Sequence, residues 1–159
     1  MNKTVVAYFS ASGSTAKLAK TLAAAADAAF YEIRPQVAYE RRDLNWMDKK
    51  SRSTLEMQDP SSRPALADQA APVAEAEVIF LGFPIWWYRE PSIIDSFLDA
   101  YDFAGKTLVP FCTSGGSALG EGQGRIEKLD KGAKVLPGKR FSARASESEL
   151  KTWIEGLGL

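Results

Sequence analysis

Three short, mainly apolar runs constrain the fold of this chain more than any other feature of its sequence. The runs cover residues 5–9, 78–81 and 107–111, and each is followed by glycine, proline or hydroxyl residues. Such runs, bounded by turn residues, are typical of strands buried on both faces of a parallel sheet. Pro110 cannot donate to the hydrogen-bond ladder of a central strand, so we expect it near the end of its strand.

Segments of helix-forming residues alternate with the strands. They lie at residues 15–29, 92–101, 124–129 and 146–156, with a further helix end at 74–77. Two runs that mix apolar and polar residues, 30–34 and 133–136, are expected to be edge strands. Repeated strand–helix alternation implies a parallel sheet with right-handed crossovers. We therefore predict one α/β domain over residues 1–159, a doubly wound, five-stranded parallel sheet with the three apolar strands at its centre.

Histidine is absent from the 159 residues, and this excludes several catalytic systems. Ser-His-Asp and Cys-His nucleophiles, histidine-ligated zinc and histidine acid–base catalysis all need that side chain. The single cysteine, Cys112, excludes disulfides within the chain and paired-cysteine redox motifs. Any redox chemistry would therefore need a cofactor. We expect Cys112 to be a small buried hydrophobic residue, with a catalytic thiol as the alternative.

Charge and hydropathy patterns indicate which partners to expect. The chain has 20 Lys and Arg against 20 Asp and Glu, and nucleic-acid-binding domains usually carry a basic excess. The longest apolar stretch, 78–88, is interrupted by Gly82 and Pro84 and is too short to span a membrane. The first apolar run is too short for the core of a signal peptide. We expect a cytoplasmic protein with neither a nucleic-acid nor a membrane partner.

Residues 35–72 do not fit the strand–helix alternation. This segment is polar and charged and contains several prolines. Connections this long inside a compact domain are usually functional lids or disordered stretches. Two interpretations remain open, a surface excursion that carries one short helix and a lid over a site.

The loop after the first strand has an excess of hydroxyl side chains. Ser10, Ser12, Ser14 and Thr15 surround Gly13 immediately before a helix. Backbone N–H groups at a helix N-terminus carry a partial positive charge that suits a phosphate dianion. One or two serines would be enough for simple helix capping, so the pattern favours phosphate binding. The loop lacks the lysine of a nucleoside-triphosphate loop.

The loop after the third strand is aromatic. It contains, in order, Pro84, Ile85, Trp86, Trp87 and Tyr88. Flat aromatic faces stack on planar heterocycles, and this contact is worth about 1–3 kcal/mol per base in nucleic-acid complexes. Alternatively, the tryptophans fill the core. We expect one of the two to do so, since neighbouring side chains cannot both face the same ligand.

The loop after the fourth strand has small residues, Thr113, Ser114, Gly115 and Gly116. Their N–H groups and small side chains suit the carbonyl and nitrogen edge of a flat ring. Ligands of open parallel sheets bind at the carboxyl ends of the strands, where the strand order reverses. The sequence therefore predicts that the three loops converge on one crevice.

Together these loops resemble those of the flavodoxin family. Residues 10–15 resemble its phosphate signature, T/S-x-T/S-G-x-T, and 82–87 and 113–117 resemble the flavin-edge loops of its short-chain branch. The resemblance spans nearly the whole chain and implies the strand order 2-1-3-4-5 with FMN at the reversal point. It implies that Ser10, Ser12, Gly13, Ser14 and Thr15 hold the FMN phosphate, and that 84–88 and 113–116 flank the isoalloxazine.

The resemblance implies a flavoprotein with redox activity, in one of two roles. As an enzyme, it would be an NAD(P)H-linked reductase of a small acceptor such as a quinone, with segment 35–72 shaping the substrate pocket. As an electron carrier, it would dock redox partner proteins. Dedicated carriers of the family are strongly acidic, and this chain is neutral, which favours the enzyme.

The charged residues that follow the aromatic loop lead to two further predictions. Arg89 follows the loop, and if it reaches the N1 side of the flavin it would stabilise the reduced anion and raise the reduction potential. Asp95, Asp99 and Asp102 are expected to form a solvated surface on an exposed helical face.

Overall fold

The computed structural model describes residues 3–114, 118–130 and 132–159. Within them, six strands form one sheet, in which every pair of neighbouring strands is parallel. The strands are β1 (Thr4–Tyr8), β2 (Ala29–Glu32), β3 (Val78–Pro84), β4 (Thr107–Thr113), β5 (Lys134–Val135) and β6 (Lys139–Phe141).

Helices cover both faces of the sheet. They are α1 (Ser14–Ala26), α2 (Arg52–Gln58), α3 (Ser92–Ala100), α4 (Gly122–Leu129) and α5 (Glu147–Gly156). Side chains alternate along a strand, so each central strand contributes to two hydrophobic clusters. Val5 packs on the side of α3 and α4, and Val6 packs on the side of α1 and α5.

The strand order is β2-β1-β3-β4-β5, with β6 also paired to β4. This confirms the predicted order, with the three apolar strands at the centre and the mixed strands at the edges. The fifth position of the sheet is shared by β5 and β6, which pair with successive parts of β4. The sequence analysis predicted β5 and did not identify β6.

Pro110 lies inside β4 and not near its end, because β3 pairs with β4 along its whole length. On the other side of β4 the partner changes at this point. Leu108 pairs with β5 and Phe111 pairs with β6. The proline, which has no N–H to donate, therefore stands opposite the gap between two partner strands.

Three predicted helix bounds are wrong by two residues or more. One is the start of α4, which begins at Gly122 and not at residue 124. Helix α1 ends at Ala26 and not at residue 29, since Asp27 adopts a left-handed conformation with φ of 50° and its N–H bonds back to the last turn. Residues 74–77 form a turn and not a helix end. Among the described residues, no helix has the length and apolar character needed to cross a membrane.

The long segment 35–72 is closed at its base and carries two short helical elements, not one. Gln36 N donates to Ala65 O (2.7 Å), and Ala67 N donates to Arg34 O (2.8 Å). The elements are a 3₁₀ turn, Arg41–Leu44, and α2. The closed base returns the chain to the sheet and places the rest of the segment beside the carboxyl ends of the strands.

Candidate functional site

The loops after β1 and β3 and the end of β4 lie next to one another at the carboxyl edge of the sheet. The hydroxyls of Thr15 and Thr113 hydrogen-bond to each other (2.7 Å), which joins the start of α1 to the end of β4. Ile85 N donates to Thr113 O (3.2 Å), and Phe9 N donates to Gly82 O (2.9 Å). These bonds fix the loops after β1 and β3 relative to the end of β4.

The loop after β1 contains backbone amides that precede the helical hydrogen-bond ladder of α1. Gly13 caps α1 with φ of 97°, a left-handed conformation that glycine adopts without strain. The first helical bond runs from Lys17 N to Gly13 O (3.1 Å), so the amides of residues 14–16 come before the helical ladder begins. No described side chain caps this terminus, and no acidic residue lies in the first turn. The local field therefore suits an anion.

The hydroxyls of this loop divide into two groups. Ser10 Oγ accepts from Gly13 N (3.1 Å), and the Thr15 hydroxyl is buried against Thr113. The hydroxyls of Ser10 and Thr15 thus form the first group, which stabilises the conformation of the loop. The side chains of Ser12 and Ser14 are exposed beside the amides. The Thr15 hydroxyl is thus already bonded within the protein, and Ser12 and Ser14 carry the exposed hydroxyl groups of the loop.

The aromatic loop is a two-residue hairpin turn with an unusual backbone. Trp86 N donates to Arg89 O (3.0 Å), and Arg89 N donates to Trp86 O (3.1 Å). The central residues, Trp87 and Tyr88, have φ of 46° and 68°. Type I′ turns need positive φ at both positions and usually contain Asn-Gly. Bulky residues in this conformation cost about 1–3 kcal/mol each, which the surrounding structure must offset.

Part of that support comes from the residues that precede α4. Glu121 N donates to Tyr88 O (2.9 Å). Gly120 packs so closely that a Cβ on it would lie 2.3 Å from Tyr88 O, and its φ is 58°. A glycine at this position is thus required both by its own conformation and by the approach of the turn.

The aromatic side chains of the turn separate into buried and exposed members. Trp86 packs edge-on against Phe9 and Tyr39, with ring centroids 5.7 and 5.4 Å apart, and is half-buried. Trp87 is 39% exposed and Tyr88 is 72% exposed. This confirms the expectation that one tryptophan packs on the core and the other does not.

A pocket of about 590 Å³ lies between these elements. Its lining combines the phosphate-type loop, the aromatic loop and two side chains of the long segment: Ala11, Ser12, Leu44, Trp46, Pro84, Ile85, Trp86, Trp87 and Tyr88. Among the described residues, no charged side chain lines it. The sequence analysis predicted that segment 35–72 could shape a pocket, but it did not identify Leu44 or Trp46.

Arg89 does not face this pocket. Its guanidinium is buried beneath the turn, where it donates to Met57 O (3.2 Å) of α2 and to Glu90 O (3.1 Å). The hypothesis that Arg89 reaches the flavin is therefore wrong. The sequence could not reveal this, because the accepting carbonyl of Met57 lies 32 residues away along the chain.

Asp95 is also buried, contrary to the predicted solvated surface, while Asp99 and Asp102 are exposed. Asp95 Oδ2 accepts from Arg125 Nη2 (2.6 Å), and Glu90 Oε2 accepts from Arg125 Nε (3.0 Å). Arg125 belongs to α4, so the partner that permits this burial comes from a distant part of the chain. We call Arg89, Glu90, Asp95 and Arg125 the buried charge cluster.

The buried charge cluster holds two adjacent carboxyl groups. Within the described part of the chain, Glu90 Oε1 and Asp95 Oδ1 have no hydrogen-bond donor. Burial and the neighbouring Asp95 carboxyl both raise the pKa of Glu90, against the opposing effect of Arg125. A proton held between the two carboxyl groups would satisfy the remaining oxygens.

Comparison with known proteins agrees with this architecture. The profile of the family described as Flavodoxin matches residues 3–157. This chain belongs to the flavodoxin family.

Solved structures of the family extend the likeness to the whole chain. A candidate flavoprotein from Bacteroides uniformis is 45% identical, with a TM-score of 0.91 over 97% of this chain and 98% of that one. A candidate flavoprotein from Bacteroides eggerthii is 38% identical, with a TM-score of 0.92 over 100% and 99%. A Lactobacillus acidophilus flavoprotein in complex with FMN, 20% identical, shares the fold with a TM-score of 0.76 over 97% and 99%. No functionally curated protein matches the sequence significantly.

Within this flavodoxin-family fold, the loop after β4 is described only in part. Thr113 is buried, and its hydroxyl is bonded to that of Thr15. Ser114 O accepts from Arg140 Nη2 (2.8 Å). Gly115 and Gly116 lie outside the described residues. Thr113 thus supports the phosphate-type loop, while the predicted contact of Gly115 and Gly116 with a ring edge stays a prediction.

Cys112 lies inside β4 and is fully buried. Burial raises the pKa of its thiol to about 12. A thiol in this state is a poor nucleophile at neutral pH, because the reactive form is the thiolate. The structure therefore supports the interpretation of Cys112 as a small buried hydrophobic residue.

Proposed function

We propose that this protein binds FMN and works as an NAD(P)H-linked reductase of a small acceptor such as a quinone. The observation that carries the proposal is an uncharged, aromatic-walled pocket next to an uncapped helix N-terminus. One end suits a phosphate and the other suits a flat ring. In this reaction NAD(P)H and one proton reduce a quinone to the hydroquinone by two electrons, and NAD(P)⁺ is released. The cytoplasmic location expected from the sequence stays a prediction.

The phosphate would bind at the start of α1. The amides of residues 14–16 and the exposed hydroxyls of Ser12 and Ser14 would donate to its oxygens, and the helix dipole would favour its negative charge. Ser10 and Thr15 would keep the loop in this conformation through their bonds to Gly13 and Thr113.

The isoalloxazine would lie against the aromatic turn. Trp87 offers an exposed ring, and Pro84 and Ile85 offer apolar contact at the base of the pocket. Bound FMN would supply the hydride and electron chemistry, and the protein would supply binding, stacking and electrostatics. The fixed conformation of the turn reduces the entropy lost when a ring stacks on it.

A carrier role is the second candidate, and the exposure of Tyr88 at the pocket rim favours it. An exposed aromatic residue beside a flavin could contact a partner protein. The additional pocket wall formed by Leu44 and Trp46 favours the reductase, because a carrier needs an open flavin edge and no substrate cavity. Neutral net charge agrees with the reductase as well.

The phosphate site is tested by Ser14→Asp. An aspartate in the first turn favours the helix, since it complements the helix dipole, but it repels a phosphate dianion. We expect FMN affinity to fall about ten-fold or more, which corresponds to roughly 1.4 kcal/mol. Titration calorimetry with FMN and with riboflavin measures the effect. Riboflavin has no phosphate and should bind Ser14→Asp and the wild type equally.

Ser14→Ala is the matched control, because it removes the hydroxyl without adding charge. It should cost much less FMN affinity than Ser14→Asp. If Ser14→Asp binds FMN as tightly as the wild type does, the phosphate is not held at the start of α1.

The choice between reductase and carrier is tested by absorption spectroscopy. The FMN-loaded protein is mixed anaerobically with NADH or with NADPH. Loss of the oxidised flavin bands is expected for a reductase. If the flavin binds but stays oxidised, the carrier is favoured, and if FMN does not bind at all, both candidate functions are wrong.

A further inference from the structure

Two features of the long segment suggest a specific role for its tip, which we define as residues 41–50. The first is that the part beside the tip is firmly attached. The Arg52 guanidinium lies 3.8 Å from the centre of the Tyr39 ring and pairs with Glu56 (3.1 Å), whose carboxylate also accepts from the Tyr39 hydroxyl. Tyr39 in turn packs against Trp86 of the aromatic turn. The tip is therefore held on a fixed base next to the pocket.

The second feature is that the tip itself is attached to nothing else by hydrogen bonds. Among the described residues, every hydrogen bond from residues 41–50 ends within residues 40–51. Trp46 is 71% exposed and Met47 is 74% exposed. Leu44 and Trp46 nevertheless line the pocket, so the tip contributes a wall that can adjust to an occupant by packing alone.

The chemistry of the pocket limits that occupant. No charged side chain of the described residues lines it, and aromatic rings come to it from two separate parts of the chain, Trp46 and the turn at Trp86–Tyr88. Uncharged aromatic walls stabilise a flat, neutral molecule by stacking and offer no counter-ion to a charged one. A neutral planar acceptor fits these walls.

We infer that Trp46 is the specificity-determining residue for the acceptor, and that it stacks on a neutral planar quinone held between the tip and the flavin. This inference rests on the proposed FMN-dependent reductase function and names its substrate class. The aromatic turn holds the flavin, and the tip holds the acceptor. The two stacking surfaces thus serve two different rings.

The test uses the FMN-loaded protein and the variant Trp46→Ala. The acceptors are menadione, a neutral planar quinone, and ferricyanide, an anion that accepts electrons without a fitted pocket. We expect the KM for menadione to rise about ten-fold, in line with the strength of one aromatic stacking contact. The rate with ferricyanide and the affinity for FMN should not change, and Trp46→Phe should restore most of the menadione KM.

Met47→Ala is the matched control, because Met47 is equally exposed on the same tip but does not line the pocket. It should leave the KM for menadione unchanged. Trp87→Ala is the contrasting variant and should weaken FMN binding. An unchanged menadione KM in Trp46→Ala overturns the inference. A loss of FMN affinity in Trp46→Ala as large as that in Trp87→Ala also overturns it, because Trp46 would then contact the flavin and not the acceptor.

Failure of the proposed function is detected separately. Where neither NADH nor NADPH reduces the bound flavin, dithionite can reduce it, and the rate of reoxidation by menadione still compares Trp46→Ala with the wild type. Equal reoxidation rates over a range of menadione concentrations overturn the role of Trp46. Absence of FMN binding in the wild type overturns the proposed function and this inference with it.

Discussion

The loop after β1 and the turn after β3 border the same pocket but are held in place differently. Residues 10–15 keep their shape through hydroxyl and backbone hydrogen bonds around one left-handed glycine, Gly13. The turn at Trp86–Arg89 has two left-handed aromatic residues, and the buried charge cluster lies beneath it. The loop after β1 therefore has no strained backbone, because its left-handed residue is a glycine. The turn after β3 has strained backbone at Trp87 and Tyr88.

The charged side chains near the site lie beneath the aromatic turn and not on the pocket lining that the structure describes. The part of the pocket surface that the structure describes carries no charged side chain. The ionic groups of the buried charge cluster lie behind it, where they connect the turn to α2, α3 and α4. A buried pair is costly to break even when its net contribution to stability is modest, so it holds geometry well. The charges of the buried charge cluster therefore support the aromatic wall from behind and do not line the described pocket.

The largest expected effect comes from Arg125→Met. This change leaves Glu90 and Asp95 buried without their shortest ionic contacts, of 3.0 and 2.6 Å. Breaking a buried pair costs about 3–5 kcal/mol, so the free energy of unfolding should fall by that order. Urea denaturation followed by tryptophan fluorescence measures it.

Arg34→Met is the control for that prediction. The Arg34–Asp68 pair is exposed, with 59% and 34% of the two side chains accessible. Exposed pairs contribute about 0–1 kcal/mol, so this variant should remain close to the wild type. Equal losses in the two variants would contradict the structural role of the buried charge cluster.

A smaller effect is expected from alanine at the two left-handed glycines near the site. Both Gly13→Ala and Gly120→Ala place a side chain at positive φ, which costs about 1–2 kcal/mol. At Gly13 a Cβ meets nothing within 4 Å, whereas at Gly120 it would collide with Tyr88 O at 2.3 Å. The collision should raise the total cost of Gly120→Ala to about 2–4 kcal/mol.

Denaturation of both alanine variants gives these values, and near-UV circular dichroism reports on the aromatic turn. We expect Gly120→Ala to change the aromatic signal and Gly13→Ala to leave it as in the wild type. A larger loss of stability in Gly13→Ala would mean that the turn is not clamped from the side of Gly120.

The smallest effect, measured per pH unit, is a dependence of stability on pH that arises from Glu90. Burial raises the pKa of Glu90 from 4.5 to about 8, so between these values the folded protein binds more protons than the unfolded chain does. The contribution of Glu90 is therefore complete below pH 4.5 and is lost as the pH rises towards 8. The slope is at most about 1.4 kcal/mol per pH unit.

Glu90→Gln should remove this part of the pH dependence, because glutamine has the shape of the protonated acid and does not titrate. Unfolding free energies of the wild type and of Glu90→Gln at several pH values from 5 to 8 test this. Parallel curves for the two proteins would show that Glu90 does not carry a proton in the folded state.

Local patterns predicted the sheet and the loops well. The apolar runs identified β1, β3 and β4, and their neighbouring turn residues marked where these strands end. Such features depend on residues close together in sequence. Pro110 was misplaced because the gap between β5 and β6, which accommodates it, becomes visible only when the sheet is assembled.

The charged residues show where sequence patterns fail. Arg89 and Asp95 have the composition of surface positions, and their burial depends on groups 30 or more residues away. The sequence likewise contains no sign that Trp46 lines the pocket. It lies in a polar segment, and only the hydrogen bonds at the base of that segment bring it to the pocket. Contacts that are distant in sequence have no local signal, so the function of these residues could not be read from the chain alone.

The division of the fifth strand position between β5 and β6 also affects how the sheet can meet other molecules. These two strands have two and three residues, and β2 at the opposite edge has four. Short edge strands offer few consecutive free amides and carbonyls, and this disfavours the addition of a strand from another chain. The interruption that accommodates Pro110 therefore also protects the molecule against edge-to-edge aggregation.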